Sequence, residues 1–462
     1  MLQLIKEEKT LFKYKLNKEQ VLTPELIKKI INKHKANVVP KYFKMDDYYH
    51  ARNQILRRQI SDPSKPNNKV AHPYASYITD TLTGYFMGEG VTYSSTDETM
   101  ALHELQMVLE YNDAQDEDME LAKDMSIFGL GIELLYIDED GATRMQRIDP
   151  REMVIVYDDT IGCDILYGIR YYQCEDILTE TQYTMIEVYS EKDVVIYKSD
   201  ALINNLEVVN SYSHYFGMVP IVVYNKNEEE IGDFESVISL IDAYDKMESD
   251  SLNDFEYFVD AYLCLSGLVA DTDDISTMKE NRVLLLDSDS DAKWLIKDTN
   301  DTNIENVKSR LDADIHKFSK VPDMSDEAFS GNSSGVAIKY KTLPMENVVA
   351  IKERKFKKGL QRRIELIFAI MSKTSGAYDW RSIDIAFTRN LPTNETEIAD
   401  VVNSLKDVVS EETLLAQIPF VEDVQEELEK VKKEREESKE LNPFFSVGLD
   451  YKTSAMENED AN

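Results

Sequence analysis

Several groups of residues in this chain have the types and spacings that could do chemistry. Gly331-Asn332-Ser333-Ser334-Gly335 has the form GxSxG, the turn that presents a serine nucleophile in hydrolases. That turn needs a buried strand before it and a helix after it. Here it follows Met324-Ser325-Asp326-Glu327-Ala328-Phe329-Ser330, which is no core strand. The structural alternative is a Gly-bounded loop whose Ser333 or Ser334 caps the next helix. Asp287-Ser288-Asp289-Ser290-Asp291 opens like a calcium loop. Ala292 replaces the required Gly, and Asp298 stands where a bidentate Glu belongs. An acidic hairpin loop is the simpler reading.

Two charge patterns are larger. Residues 233–267 lack Pro and internal Gly and read as one helix about 50 Å long. On a helical wheel Val237, Leu240, Ile241, Tyr244, Met247, Leu252, Phe255, Phe258, Val259, Tyr262 and Leu265 share a broad apolar face. Asp242, Asp245, Ser249, Asn253, Glu256 and Asp260 form a narrow stripe opposite, with Glu248 off the pattern. The stripe is either a solvated face or a surface aimed at a channel or a charged neighbour. The second pattern is a basic island. Lys339 to Lys373 hold ten Lys and Arg against three Glu, a net of +7. Lys352, Arg354, Lys355, Lys357 and Lys358 crowd its centre. They can pair with acidic residues of a neighbouring subunit, touch DNA phosphate, or simply face water.

The rest of the chain is acidic, with a net charge of −35 over 462 residues. A surface that grips DNA is usually basic. A wall past which DNA slides is better acidic, because it repels phosphate. The three cysteines and six histidines are scattered, without a CxxC pair or two His four apart. Neither a disulfide framework nor a structural zinc site is expected. There is no Walker A sequence, so no nucleotide chemistry is expected, and no cofactor. No apolar run is long enough to cross a membrane, and the N-terminus lacks a secretory pattern. These features place the chain in a cytoplasm.

The elements that position these residues are α+β in class. Thr23 caps a helix with Pro24 at its first turn, and a second helix runs from about Asp46 to Ile60. Residues 61–68 are a loop, and 97–129 are two helices parted near Asn112. Gly131–Ile137 and Thr143–Ile148 flank Asp138-Glu139-Asp140-Gly141 as a hairpin. Met153–Tyr157, Ile165–Tyr172, Thr184–Tyr189, Asp193–Tyr197 and Val219–Tyr224 continue as antiparallel strands. Two short strands, Val283–Asp287 and Trp294–Lys297, precede a helix from about Thr302 to Lys320. Residues 335–373 read as helical with an interruption at Pro344. From about residue 393 the chain is helical and acidic. Its charged amphipathic stretch Glu422–Glu440 is too short for a coiled coil.

Four stretches, in this order, resemble the portal proteins of siphophages infecting Gram-positive bacteria. One is Asn67-Asn68-Lys69-Val70-Ala71-His72-Pro73-Tyr74-Ala75, continuing through Asp80 to Gly84-Tyr85-Phe86-Met87-Gly88. A second is Ser239-Leu240-Ile241-Asp242-Ala243-Tyr244-Asp245 with Glu248-Ser249-Asp250. A third runs from Pro322-Asp323-Met324 through Gly331-Asn332-Ser333-Ser334-Gly335-Val336-Ala337 to Lys352-Glu353 and Phe356-Lys357-Lys358-Gly359-Leu360. The last is Phe387-Thr388-Arg389-Asn390-Leu391-Pro392.

The resemblance implies a homo-oligomeric ring, usually of twelve subunits, at one capsid vertex of a virion assembled in the host cytoplasm. It implies a portal fold with an α/β wing, a helical stem, a small clip insert and a helical crown. Residues 1–232 look like most of the wing, 233–267 the first stem helix and 268–324 the clip. Residues 325–341 look like the return stem helix, and 342–350 the tunnel loop, with Thr342, Leu343, Pro344, Met345, Glu346 and Asn347 against DNA. Residues 351–392 look like the long helix back through the wing, and 393–462 the crown and acidic tail. Asp242, Asp245, Glu256 and Asp260 then become channel candidates. Asp287, Asp289 and Asp291 become clip contacts. The implied partners are double-stranded DNA as cargo, the terminase large subunit, a head–tail adaptor, and the major capsid and scaffolding proteins. The rival readings are a serine hydrolase using Ser333 and a non-viral acidic scaffold protein.

Overall fold

The structure is a computed structural model. It describes residues 13–63, 65–95, 99–259, 262–266, 276, 291–295, 301–325, 335–374, 376, 378–390, 395–406, 408–415, 418, 421 and 424–441. The chain forms two compact units. One comprises residues 1–324 and 341–390, the other 325–340 and 391–462.

In the first unit, a six-stranded sheet is built from β1 (Tyr14–Leu16), β5 (Met153–Asp158), β6 (Ile165–Asp176), β7 (Thr181–Tyr189), β8 (Asp193–Asp200) and β9 (Glu207–Ser213), adjacent in that order. β1 runs parallel to β5, and all other pairs are antiparallel. Alternation along β7 turns Ile186 and Val188 to one face, where both are buried. Helix α1 (Pro24–Asn37) covers that face. Its Ile27, Ile30, Ile31 and His34 are buried at the i, i+3, i+4, i+7 spacing of one helical stripe. Thr23 caps α1 as expected, its hydroxyl accepting from the Leu26 amide at 3.4 Å.

A second sheet holds β10 (Ile221–Asn225), β3 (Leu130–Ile137) and β4 (Thr143–Ile148), all antiparallel. Helices α2 (Val39–Tyr49), α3 (Tyr74–Met87), α4 (Thr99–Tyr111) and α5 (Ala114–Phe128) accompany it, with a two-stranded pair of β2 (Thr92–Ser94) and β13 (Asp384–Ala386). Helix α5 ends at Gly129, whose φ of +87° suits glycine. A Cβ there would also strike the Glu230 carbonyl.

Helix α6 (Ile238–Val259) leads to a hairpin of β11 (Tyr262–Ser266) and β12 (Asp291–Leu295). Helix α7 (Asp301–Ser319) returns beside α6, and the 40-residue α8 (Gly335–Thr374) follows. The described helices of the second unit, beyond the start of α8, are α9 (Glu395–Leu405), α10 (Glu411–Leu415) and α11 (Val424–Leu441). There Arg435 bonds Glu411 at 2.7 Å.

Four expectations change. The helix expected over 233–267 stops at Val259, and Tyr262–Ser266 is a strand. Its alternating Tyr262, Cys264 and Ser266 suit a pleat as well as a helix. The helix expected from Asp46 to Ile60 instead spans Val39–Tyr49; Ala51, at φ 54°, turns the chain into a 3₁₀ turn at Gln54–Arg57. Pro344 does not interrupt α8, so residues 342–350 are helical and not a loop. An interior Pro costs a helix about 3 kcal/mol. Burial of Met345 and Val349, just after it in the helix, offsets that cost. Finally, β9 is an unexpected strand, because all seven of its residues are exposed and show no alternation. The stretch Val283–Asp287 and the Gly331–Ser334 turn lie outside the described residues.

Candidate functional site

The acidic stripe of α6 is not a free face over most of its length. Tyr48 donates to Asp242 at 2.5 Å. Asp245 is fully buried and accepts from the Asn53 amide at 2.6 Å, the His72 backbone N–H at 2.9 Å and His72 Nδ1 at 2.8 Å. One turn on, Ser249 accepts from the Val70 amide at 3.0 Å, and Asn253 from the Asn68 amide at 2.6 Å. Arg58 pairs with Asp250 at 2.6 Å. The stripe therefore satisfies the backbone of residues 68–72, which has no ladder partner of its own. Asp245 is corrected from channel candidate to internal anchor. Glu256 is exposed, while the side chain of Asp260 lies outside the described residues.

The basic island divides the same way. Lys352 is fully buried and donates to Asp233 at 2.7 Å and Ser126 at 2.6 Å. Lys226 holds the other Asp233 oxygen at 2.7 Å. Burial alone would raise the Asp233 carboxyl, but the two ammonium groups outweigh it and hold it well below the usual range. Lys352 is thus neither an intersubunit nor a DNA contact; a buried ammonium needs a partner inside its own chain. Lys357 donates to the Ile385 carbonyl at 2.8 Å, and Lys355 pairs with Glu228. Arg354 and Lys358 are exposed.

In the stretch expected to be the tunnel loop, Glu346 is bound to Arg389 at 2.9 Å and accepts from Tyr85 at 2.7 Å. Burial works against ionisation of Glu346, but Arg389 and the Tyr85 hydroxyl hold its carboxyl below the usual range. Thr342 and Met345 are buried, whereas Leu343, Pro344 and Asn347 are exposed. Of the clip candidates, Asp291 opens β12 opposite Ser266. Asp287 and Asp289 lie outside the described residues.

Sequence reasoning missed the most deeply buried charges. Arg363 has no exposed surface. It bonds Asp118 at 2.6 Å and Glu133 at 2.8 Å, and Tyr224 donates to the same Glu133 at 2.9 Å. Burial pushes the Asp118 carboxyl up to about 6 against the pull of Arg363. Nearby on α5, Asp124 is pushed up to about 7 by burial, although Arg147 bonds one of its oxygens at 2.8 Å. The signal was available: Arg363 sits among Leu360, Ile364 and Ile367, all fully buried on one face of α8.

Within the first unit, described parts of the four resembling stretches touch one another. Residues 67–72 bond the 239–250 stretch through Asp245 and Ser249. Phe86 stacks on Phe387 with centroids 5.4 Å apart, and Phe356 packs edge-on against Phe86 at 5.6 Å. Glu353 pairs with Arg389 at 2.5 Å, and the Asn390 amide donates to the Tyr85 carbonyl at 3.3 Å. These parts thus form a packed seam that links α3, α6 and the 341–374 portion of α8.

Buried ion pairs at Lys352 and Arg363 thus lock the long helix α8 to α5 and the strands beside it. The chain belongs to the phage portal protein family: the family described as "Phage portal protein, SPP1 Gp6-like" matches residues 27–441. The chain is similar to the portal protein of Bacillus phage SPP1, at 26% identity over 448 residues, covering 90% of this chain and 87% of that protein. It is also similar to the portal protein of Clostridium phage phiCD119, at 23% identity over 408 residues, covering 82% of this chain and 89% of that protein. The family is a structural one, so the hydrolase reading of Ser333 is set aside. Among the described residues no helix is long and apolar enough to cross a membrane.

Proposed function

We propose that copies of this chain, twelve in number, close a ring at one capsid vertex through which double-stranded DNA enters and leaves. The family match across residues 27–441 carries this reading. In it, α6 with its stripe anchored at Asp245 belongs to the stem, and residues 268–324 form the clip. The terminase large subunit docks there during packaging and a head–tail adaptor afterwards, with the major capsid and scaffolding proteins around the ring. Asp287, Asp289 and Asp291 are the clip contacts. The exposed Leu343, Pro344 and Asn347 on α8, with Glu256 on α6, are the surfaces turned to the channel; Asp260, outside the described residues, stays a channel candidate from its place in the sequence.

The anchoring of Asp245 changes which variant tests the channel. Lysine at 245 would report on folding. Glu256→Lys leaves the internal bonds intact and should impair DNA movement in rings that still assemble. Electron microscopy of the purified chain tests the ring itself. Rings with a central pore are expected, and a persistent monomer would overturn the proposal.

A further inference from the structure

We propose that Asp312, His316 and Asp323 bind a first-row divalent cation, with Zn²⁺ favoured. Asp312 and His316 stand four residues apart on α7 and so share one helix face. Just past the helix the chain reverses at Lys320, whose φ is 64°, and brings Asp323 to the same place. One donor atom from each of the three lies within 4.8 Å of the other two.

The imidazole is prepared for a metal. His316 Nδ1 lies 3.0 Å from the Val321 carbonyl oxygen. A carbonyl only accepts, so Nδ1 is the donating nitrogen and Nε2 is the one turned to the carboxylates, as in a ligating imidazole. Nε2 is 3.6 Å from Asp312 Oδ1, too long for a good hydrogen bond. It is close to the separation of about 3.3 Å for two ligands bonded tetrahedrally at 2.0–2.1 Å to one zinc. The Asp323 carboxylate, within 4.8 Å of both donors, would complete a three-ligand set by closing on them, with water in the fourth position.

A supporting shell is also present. Tyr74 donates to Asp312 Oδ1 at 2.6 Å. Tyr77 donates to the Pro322 carbonyl at 2.9 Å and accepts from the Met324 amide at 2.9 Å, which fixes the backbone on both sides of Asp323. The rings of Tyr74 and Tyr77 stand edge-on to His316 at 6.1 and 5.6 Å. Such contacts orient a ligating imidazole and its carboxylates. The donor set of one imidazole and two carboxylates selects the cation. Mg²⁺ and Ca²⁺ prefer oxygen alone, whereas imidazole suits zinc and its neighbours. The ion would tie the turn after α7 back onto the last turns of that helix. This inference is independent of the ring.

The test uses the full-length chain stripped with chelator and titrated with Zn²⁺, then with Co²⁺ as a visible reporter. The expected result is one equivalent per chain and a rise in Tm with Zn²⁺, with no comparable rise from Mg²⁺ or Ca²⁺. Asp323→Asn and His316→Gln should each weaken Co²⁺ binding tenfold or more and abolish the Tm response. Circular dichroism shows whether each variant is folded; if His316→Gln is not, Asp323→Asn decides alone. An unchanged Tm in Zn²⁺, or equal binding by the wild type and Asp323→Asn, would overturn the site. Either outcome would leave Asp312 and His316 as neighbours on one face of α7 without a metal role.

Discussion

Against the six-stranded sheet, Ile27, Ile31, Val156, Ile169 and Ile186 meet as a cluster of apolar side chains. His34, the polar residue at its border, is pushed down to about 4 by burial and is uncharged at neutral pH. Along α8 the buried face instead carries Lys352 and Arg363 among Phe356, Leu360 and Ile364. The two regions exclude water equally well and use different physics to do so. Apolar contact is non-directional, so a cluster of isoleucines tolerates a change of shape at modest cost. A buried guanidinium between two carboxylates has one acceptable position, because any slip leaves a charge unpaired in low dielectric. The hypothesis that follows is that the ion pairs set the register of α8, while the isoleucines supply unspecific cohesion.

Arg363→Met gives the largest expected effect. It leaves Asp118 and Glu133 buried without their cation, at a cost of about 3–5 kcal/mol. Ile186→Val in the sheet should cost about 0.5–1.5 kcal/mol. Denaturant titration followed by circular dichroism measures both. Equal losses at the two positions would break the comparison.

Asp245→Ala comes next. The substitution strands the Asn53 amide and two His72 donors in a buried site, at about 2–3 kcal/mol in total. A loss under about 0.5 kcal/mol, typical of a surface change, would return Asp245 to the list of residues turned outward.

The contrast also explains what the sequence could disclose. The cap at Thr23 and Pro24 located the start of α1, and local pattern located the paired helices around Asn112 and the strands from β3 to β8, because a buried face repeats every 2 or 3.6 residues. It could not place the charges. Asp242, Asp245 and Glu256 share one wheel position, yet only a fold shows that residues 48–72 cover the first two. Lys352 and Lys358 likewise look alike in a basic run, and one is buried while the other is exposed. Pro344 was misleading because its local penalty is real and is overridden by the packing of Met345 and Val349. The edge strand β9 had no periodic signal at all.

Asp124 sharpens the comparison through pH. Its folded carboxyl is raised from 3.8 to about 7 by burial, so the folded state binds the proton more tightly than the unfolded one. Stability from this group is therefore full below about pH 4 and is lost as pH rises through 7. Asp124→Asn removes that dependence. Relative to the wild type the variant should gain about 2–3 kcal/mol between pH 5 and pH 8, at about 1.4 kcal/mol for each of the roughly two pH units over which only the folded carboxyl holds its proton. Parallel pH profiles for the two proteins would show that Asp124 is ionised in the fold throughout, and the buried-charge description of α5 would fail with it.

The smallest effect on the folded subunit is expected where the basic helix meets solvent. Arg354 and Lys358 are exposed, so Arg354→Glu with Lys358→Glu should change subunit stability by no more than about 0.5 kcal/mol. Assembly is where they would act. If these two cations face carboxylates of a neighbouring copy in the proposed ring, their reversal should leave folded subunits that fail to close rings. The wild-type ring should also loosen as salt rises from 0.1 to 1 M, where the screening length falls from about 10 to about 3 Å. Light scattering and electron microscopy across that range provide the measurement. Rings of the double variant that form as readily as the wild type at low salt would remove this helix from the interface. The internal partners of Lys352, Lys355 and Lys357 would then account for every basic residue of the cluster that has a defined role.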